Sequence, residues 1–192
     1  MPTAAQRKAL KSTENLVRTF QNLPGRQRKE GIASPRPTQY SRDAQRQRVY
    51  DAEHDFVRLV RGRAEHPRIS ISGVSMDVPD ILRFGDLSAV QAFVDQVTRH
   101  AGASRISVHT NDRLAQRANY SGGVITLPLG GADHRWAWNQ AVLLHEIAHH
   151  LTAGAKHNSP FPAALTELFT TWISPEAGLL LRLLYLDLGV KL

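Results

Sequence analysis

One short run constrains the fold of this chain more than any other: His145-Glu146-Ile147-Ala148-His149. The apolar residues around it recur with helical spacing, and on a helix two residues four apart lie on the same face. Two imidazoles placed in this way can hold one metal ion, and the carboxylate of Glu146 then reaches a water molecule on that ion. The chain therefore needs a rigid helix, packed on the rest of the domain, that presents these side chains to a cleft.

Composition limits the kind of metal site. The 192 residues include no cysteine, which excludes disulfides, a thiolate nucleophile and thiolate ligands, so a transition-metal site here must use His and carboxylates. A chain of this length with 42% hydrophobic residues is one ordinary domain with a short extension. No stretch has the apolar length of a secretory signal or of a membrane span, so we expect a cytoplasmic protein without a membrane partner.

Positive charge is concentrated in the N-terminal third. Residues 1–68 hold 15 of the 24 Lys and Arg residues and 7 of the 17 Asp and Glu residues, a net charge of +8, whereas residues 69–192 have a net charge of −1. This asymmetry is typical of a solubilising extension and also of an arm that binds nucleic acid. Residues 1–68 are therefore a candidate nucleic-acid contact, and any DNA affinity of theirs must fall steeply with salt.

The hydrophobic pattern predicts an α+β fold. A helix over residues 3–22 precedes a linker over residues 23–41 that is rich in Pro, Gly and charge, and a compact domain covers residues 42–192. Within the domain, a helix, a strand, a helix, several strands and three helices follow one another. Their expected ranges are 42–63, 68–72, 87–101, 105–109, 115–120, 123–128, 136–152, 162–173 and 175–188. Asp86 or Ser88 caps the second helix of the domain.

Two histidines leave a zinc ion short of protein ligands, so a third ligand must come from elsewhere. His157 lies eight residues beyond His149, in a loop that follows the motif, and Glu167 lies 18 residues beyond it, on the next predicted helix. A carboxylate from a downstream helix is the arrangement of thermolysin-like sites. Glu167 is alternatively an acid that orients a ligand histidine. The residues alone leave both interpretations open.

Three protein ligands leave one coordination position for water, and Zn²⁺ lowers the pKa of that water towards about 7. Glu146 can then accept its proton and pass it to a leaving amine, which is amide hydrolysis without a covalent intermediate.

The alternatives to a catalytic metal site are a structural metal site, a solvated helix face with two chance histidines, and a metal-bearing interaction module without turnover. Structural zinc sites favour four ligands with Cys, and a scaffold has no need of a general base at Glu146.

Four stretches of the chain carry a resemblance to known enzymes, and two of them include the candidate ligands. The His145–His149 run followed by His157-x-x-x-Phe161 resembles the zinc site of SprT/Spartan-like metallopeptidases. Over residues 42–192, the chain also resembles a metallohydrolase family of actinobacteria and their mobile elements. The stretches that match this family are Asp43–Glu53, Leu144–Leu151, His157–Phe161 and Ser174–Arg182.

The resemblance implies a minimal zincin-like fold, in which a small mixed or antiparallel sheet packs on the motif helix and C-terminal helices follow. It implies Zn²⁺ on His145, His149 and His157, with Glu146 as general base. The expected substrate is a protein or peptide, held in extended form by an upstream edge strand. A DNA-bound protein and a regulator such as a repressor are the two candidates. Asn158 stands where the family pattern has Gly, and Asn is the next most tolerant of a positive φ.

Other polar residues have an ordinary interpretation beside a functional one. Tyr120 is either an oxyanion donor at the cleft or a core or rim residue. His150 points about 100° away from His149 on a helix, so it is a surface residue or one that supports a ligand. Asp43 and Glu53 belong to a stretch that carries the resemblance, but a solvated helix face explains them equally well.

Overall fold

The computed structural model describes residues 43–111, 117–129 and 134–192, which belong to the unit Tyr40–Leu192. The helix predicted over residues 3–22 and the linker predicted over residues 23–41 lie outside the described residues. The helices of the domain are α1 (Arg46–Arg61), α2 (Leu87–His100), α3 (Gln140–Leu151), α4 (Pro160–Trp172) and α5 (Pro175–Asp187). Short 3-10 turns cover Gly62–Ala64 and His134–Ala137.

The strands form two small sheets. They are β1 (Arg68–Ile71), β2 (Val74–Asp77), β3 (Ser107–Asn111), β4 (Asn119–Ser121) and β5 (Val124–Pro128). β1 and β2 pair as an antiparallel hairpin, and the second sheet has the order β3-β5-β4, with β3 parallel and β4 antiparallel to β5. The predicted α+β fold is thus confirmed. In the described ranges, no helix combines the length and the apolarity that crossing a bilayer requires.

Two tight turns set the registers of the antiparallel strands. Ser72 and Gly73, with φ values of 51° and 78°, join β1 to β2, and Gly122 and Gly123, with φ values of 55° and 84°, join β4 to β5. Two consecutive positive φ values give a turn whose twist matches that of the flanking strands. The sequence analysis predicts the strands around the second turn but not β2, although Val74-Ser75-Met76-Asp77 alternates apolar and polar residues. Met76 is the one buried side chain of this strand.

Capping side chains fix where two helices begin. Asp86 accepts a 2.8 Å hydrogen bond from the Ala89 N–H at the start of α2, which confirms one of its two predicted caps. Asn139 accepts a 3.1 Å bond from the Val142 N–H at the start of α3. Such a cap satisfies one of the N–H groups that a helix start leaves unpaired. The motif helix therefore begins at Gln140, later than predicted, because a 3-10 turn precedes the extended cap residue.

The motif helix α3 lies at the centre of the domain. Its side chains Leu143, Leu144 and Ile147 are fully buried, and the helix packs on α2, α4 and β4. Next to it, α4 and α5 approach closely at Gly178, where a methyl group would lie 1.8 Å from Thr170 Oγ1. α5 in turn packs on α1. This succession of packed helices holds α3 rigidly and brings α1 to the same part of the domain as the motif.

Candidate metal centre

The structure brings together the three histidines predicted as ligands. One ring nitrogen of each of His145, His149 and His157 lies within 4.8 Å of the others. The first two lie one turn apart on α3, and His157 comes from the loop between α3 and α4. His145 and His157 are each only 5% exposed. Bonds from imidazole to Zn²⁺ are about 2.0–2.1 Å long, so small side-chain rotations place all three nitrogens on one ion.

Tight turns build the loop that carries His157. Gly154 and Lys156 have positive φ values of 84° and 53°, and the Asn158 N–H donates a 3.1 Å hydrogen bond to the Ala155 carbonyl. Asn158 itself does not have a positive φ. Its presence where the family pattern has Gly therefore causes no backbone strain, because the left-handed positions of this loop are Gly154 and Lys156.

A carboxylate holds one nitrogen of each of the two most buried histidines. Nδ1 of His145 lies 2.8 Å from Oε2 of Glu53, and Nδ1 of His157 lies 2.8 Å from Oδ2 of Asp43. Asp43 also accepts the backbone N–H of His157 at 3.1 Å. Since an ionised carboxylate only accepts hydrogen bonds, each ring carries a hydrogen on Nδ1. The Nε2 atom of each ring is then the one that remains for a metal.

The histidine cluster fits a metal ion. Nε2 of His157 is buried and has no hydrogen-bond partner among the described residues. A buried nitrogen without a partner costs about 1–3 kcal/mol, and coordination would supply the partner. Burial, aided by the neighbouring His145 and His157, lowers the pKa of His149 to about 3. Burial also lowers the pKa of His157, although Asp43 opposes it. Both rings are therefore neutral at pH 7, which is the form that binds a metal.

The pKa values of His145 and Glu146 are both raised, whereas those of His149 and His157 are lowered. Burial lowers the pKa of His145, but the charge and hydrogen bond of Glu53 outweigh it, so the pKa lies above its ordinary value. A metal that binds Nε2 must therefore displace a proton from that nitrogen, while Glu53 keeps the hydrogen on Nδ1. Burial raises the pKa of Glu146 against the effects of His145 and of the Tyr120 backbone N–H. Glu146 is only 6% exposed, so it is a poorly hydrated carboxylate and a stronger base than one in water.

Two aromatic rings flank the histidine cluster. Phe161 is fully buried, and its ring centroid lies 4.9, 4.4 and 4.8 Å from those of His145, His149 and His157. Tyr50, on α1, stacks on His145 at 5.5 Å and lies 5.0 Å from His157. Tyr50 is 39% exposed. The cluster thus has a closed, apolar side at Phe161 and a side at Tyr50 that reaches solvent.

The strand β4 borders the motif helix. In the described part of the sheet it is an edge strand, which pairs with β5 on one side only. It packs on α3, the helix that carries Glu146, and Tyr120 is its middle residue. The Tyr120 hydroxyl lies 2.6 Å from Nδ1 of His150 and accepts the Gly123 N–H at 3.1 Å. It is therefore engaged away from the histidine cluster, so Tyr120 anchors the strand and is not placed as an oxyanion donor. His150 supports β4.

The remaining predicted site residue lies apart from the cluster. Glu167 is exposed on α4, and the metal-binding group found in the described residues does not include it. Asp43 and Glu53, by contrast, contact the ligands directly. Sequence reasoning can reach such acids from the rule that a ligand histidine gives its other N–H to an acceptor. The sequence pattern does not indicate that the ring of Tyr50 contacts His145 and His157.

No protein-family model, no curated protein and no solved structure matches the chain. What the site can do follows from its own side chains. Three histidines can hold a metal ion, and Glu146 is a buried carboxylate outside the ligand group. It directly follows His145 and precedes His149 by three residues on the same helix.

Proposed function

We propose that this protein is a zinc-dependent peptidase of the minimal zincin type. The observation that carries the proposal is Glu146, a buried carboxylate with a raised pKa beside three histidines that can share one ion. Burying a carboxylate that binds no metal is costly, and a purely structural metal site has no use for it. The resemblance of the motif and of the His157 loop to SprT/Spartan-like metallopeptidases supports the same activity.

Zinc is the metal that suits this donor set best. The ligands are three imidazoles, and no thiolate is present in the chain to favour another ion. Three protein ligands are typical of catalytic zinc sites, whereas structural sites use four. When bound, zinc supplies Lewis-acid chemistry, which polarises a carbonyl group and makes water more acidic.

The side chains of this protein supply the proton transfers. Glu146 takes a proton from the attacking water as the water oxygen bonds to the carbonyl carbon, and it gives that proton to the amide nitrogen as the C–N bond breaks. A raised pKa suits both steps, because the group must accept and then release the proton near neutral pH. Glu53 and Asp43 keep the imidazoles oriented through their Nδ1–H groups.

The edge of β4 that pairs with no other strand among the described residues is the proposed binding surface for the substrate backbone. An extended peptide that pairs with this edge gains main-chain hydrogen bonds, as in other cases of β-augmentation. Because β4 packs on α3, the edge strand runs beside the helix that carries the general base. A peptide on this strand therefore passes close to the histidine cluster.

Replacement of Glu146 tests the proposal. Glu146→Gln keeps the size of the side chain but cannot accept a proton. With one equivalent of zinc, we expect it to lose about 10²–10⁴-fold in kcat on denatured casein. Its zinc content by elemental analysis should equal that of the wild type. Glu65→Gln, at an exposed carboxylate, is the matched control and should retain full activity.

Two results would count against the proposal. Equal hydrolysis by Glu146→Gln and the wild type would remove Glu146 as the base. A wild type that holds zinc but cleaves neither casein nor a mixed peptide library would instead make the protein a metal-binding interaction module.

A further inference from the structure

Amide hydrolysis places negative charge on the carbonyl oxygen, and a donor aimed at that oxygen is often worth more than any other single group. Most described donors around the cluster are already engaged. The Nδ1–H groups of His145 and His157 are held by carboxylates. The Tyr120 hydroxyl is paired with His150. The oxygen that becomes negative therefore needs another donor on the solvent-facing side of the cluster.

Tyr50 lies on that side. Its ring stacks on His145, with an angle of 23° between the ring planes, and also packs on His157. Phe161 contacts the same two histidines but is fully buried, whereas Tyr50 is 39% exposed. Glu146 directly follows His145 on α3, so the Tyr50 ring lies on the imidazole next to the general base. Because Tyr50 is also partly exposed, a substrate can reach it.

Arg46 lies one helical turn before Tyr50, and its guanidinium lies over the Tyr50 ring. The guanidinium carbon is 5.6 Å from the ring centroid of Tyr50. A guanidinium has donors only, so Arg46 cannot accept the hydroxyl hydrogen of Tyr50, which stays available for another acceptor. The positive charge of Arg46 also favours negative charge that develops nearby.

We infer that Tyr50 is a further catalytic residue, whose hydroxyl donates a hydrogen bond to the carbonyl oxygen of the scissile peptide bond as that oxygen becomes negative. Arg46 is the positioning residue for this hydroxyl. The inference rests on the proposed peptidase function.

The electrons and protons balance without a further reactant. As the water oxygen bonds to the carbonyl carbon, the π electrons move onto the carbonyl oxygen, and Tyr50 keeps its proton while donating to that oxygen. As the C–N bond breaks, the C=O double bond re-forms and the proton held by Glu146 goes to the amide nitrogen.

Tyr50→Phe tests the inference, because it keeps the ring on the two imidazoles and removes only the hydroxyl. On a casein-derived peptide that the wild type cleaves, we expect kcat to fall by about 10²–10³-fold. The KM and the zinc affinity should stay close to those of the wild type. A phosphinic peptide of the same sequence carries anionic oxygens at the place of the tetrahedral carbon, and its affinity should fall in parallel with kcat.

Two arginine variants on the same helix separate positioning from a general charge effect. Arg46→Ala should lower kcat less than Tyr50→Phe does, and the double variant should lose little more than Tyr50→Phe alone. Arg58→Ala is the matched control, since Arg58 is 71% exposed beside Asp55 and lies about 18 Å further along the helix. It should have no effect on kcat.

Three further results would each overturn this inference. A zinc-loaded Tyr50→Phe variant with a kcat within twofold of the wild type overturns the inference and leaves the proposed peptidase intact. Loss of zinc from this variant also overturns it and makes Tyr50 a support for the ligands. A zinc-loaded wild type that cleaves no peptide overturns the proposed function, and this inference with it, before any variant is compared.

Discussion

The two helices that meet at the histidine cluster contribute in different ways. α3 places His145, Glu146 and His149 within little more than one turn, so their arrangement is set by helical geometry alone. α1 places Tyr50 and Glu53 against the imidazoles, and this arrangement exists only because α1 is packed against the rest of the domain. The site thus has a local part, which can hold an ion, and a long-range part, which orients the imidazoles. Damage to the first should abolish metal binding, whereas damage to the second should weaken it.

Removal of a ligand should have the largest effect. With His149→Ala, two histidines remain, and we expect no zinc after dialysis at pH 7 and no hydrolysis of casein. Elemental analysis and the activity assay check this, with circular dichroism to show that the variant is folded. His157→Ala should behave in the same way. If His157→Ala still holds one equivalent of zinc, another residue, with Glu167 the first to examine, must provide the third ligand.

Removal of an orienting carboxylate should have a graded effect. Glu53→Ala and Asp43→Ala leave all three ligands in place but take away the acceptor of an Nδ1–H group, so zinc affinity should fall by about 10–100-fold. Competition with a chromophoric chelator measures this. Asp55→Ala is the control on the same helix, because Asp55 pairs with the exposed Arg58 and touches no ligand. Unchanged affinity in both test variants would show that the contacts of α1 are dispensable.

The free energy of unfolding of the metal-free protein should depend on pH, and this effect should be smaller than those of the substitutions above. The pKa of His149 is about 6.5 in an unfolded chain and about 3 in the folded one. Between pH 6.5 and pH 3, the unfolded state binds a proton at this position and the folded state does not. The free energy of unfolding therefore falls as the pH drops through this window and is unaffected above it.

Solvent screening at this partly exposed ring limits the loss to about 1–2 kcal/mol. Urea unfolding at pH 7 and pH 4.5, with and without His149→Ala, measures it. The raised pKa of Glu146 acts in the opposite direction in both proteins, so the difference between them isolates His149. Parallel pH dependence in wild type and variant would contradict the lowered pKa of this ring.

The division between local and long-range structure also explains what the sequence can predict. The α+β order, the Asp86 cap of α2 and the close approach of His145 to His149 all depend on residues a few positions apart, and a periodic pattern contains that information. The first residue of α3 depends on the single cap Asn139, which such a pattern does not resolve. The pattern also cannot show whether Glu53 faces solvent or hydrogen-bonds to a ligand histidine, because that depends on what α1 packs against.

The hydrogen bonds that orient the ligands also have a consequence for the order of folding. They join residues that are 92 positions apart for Glu53 and His145 and 114 positions apart for Asp43 and His157. Contacts between such distant residues must overcome the entropy of closing a long loop, so they form after the local turns of a helix. A folding chain can therefore form α3 early, but under the proposed function it reaches full affinity for metal only when α1 docks. The time course of zinc uptake during refolding should report that docking step.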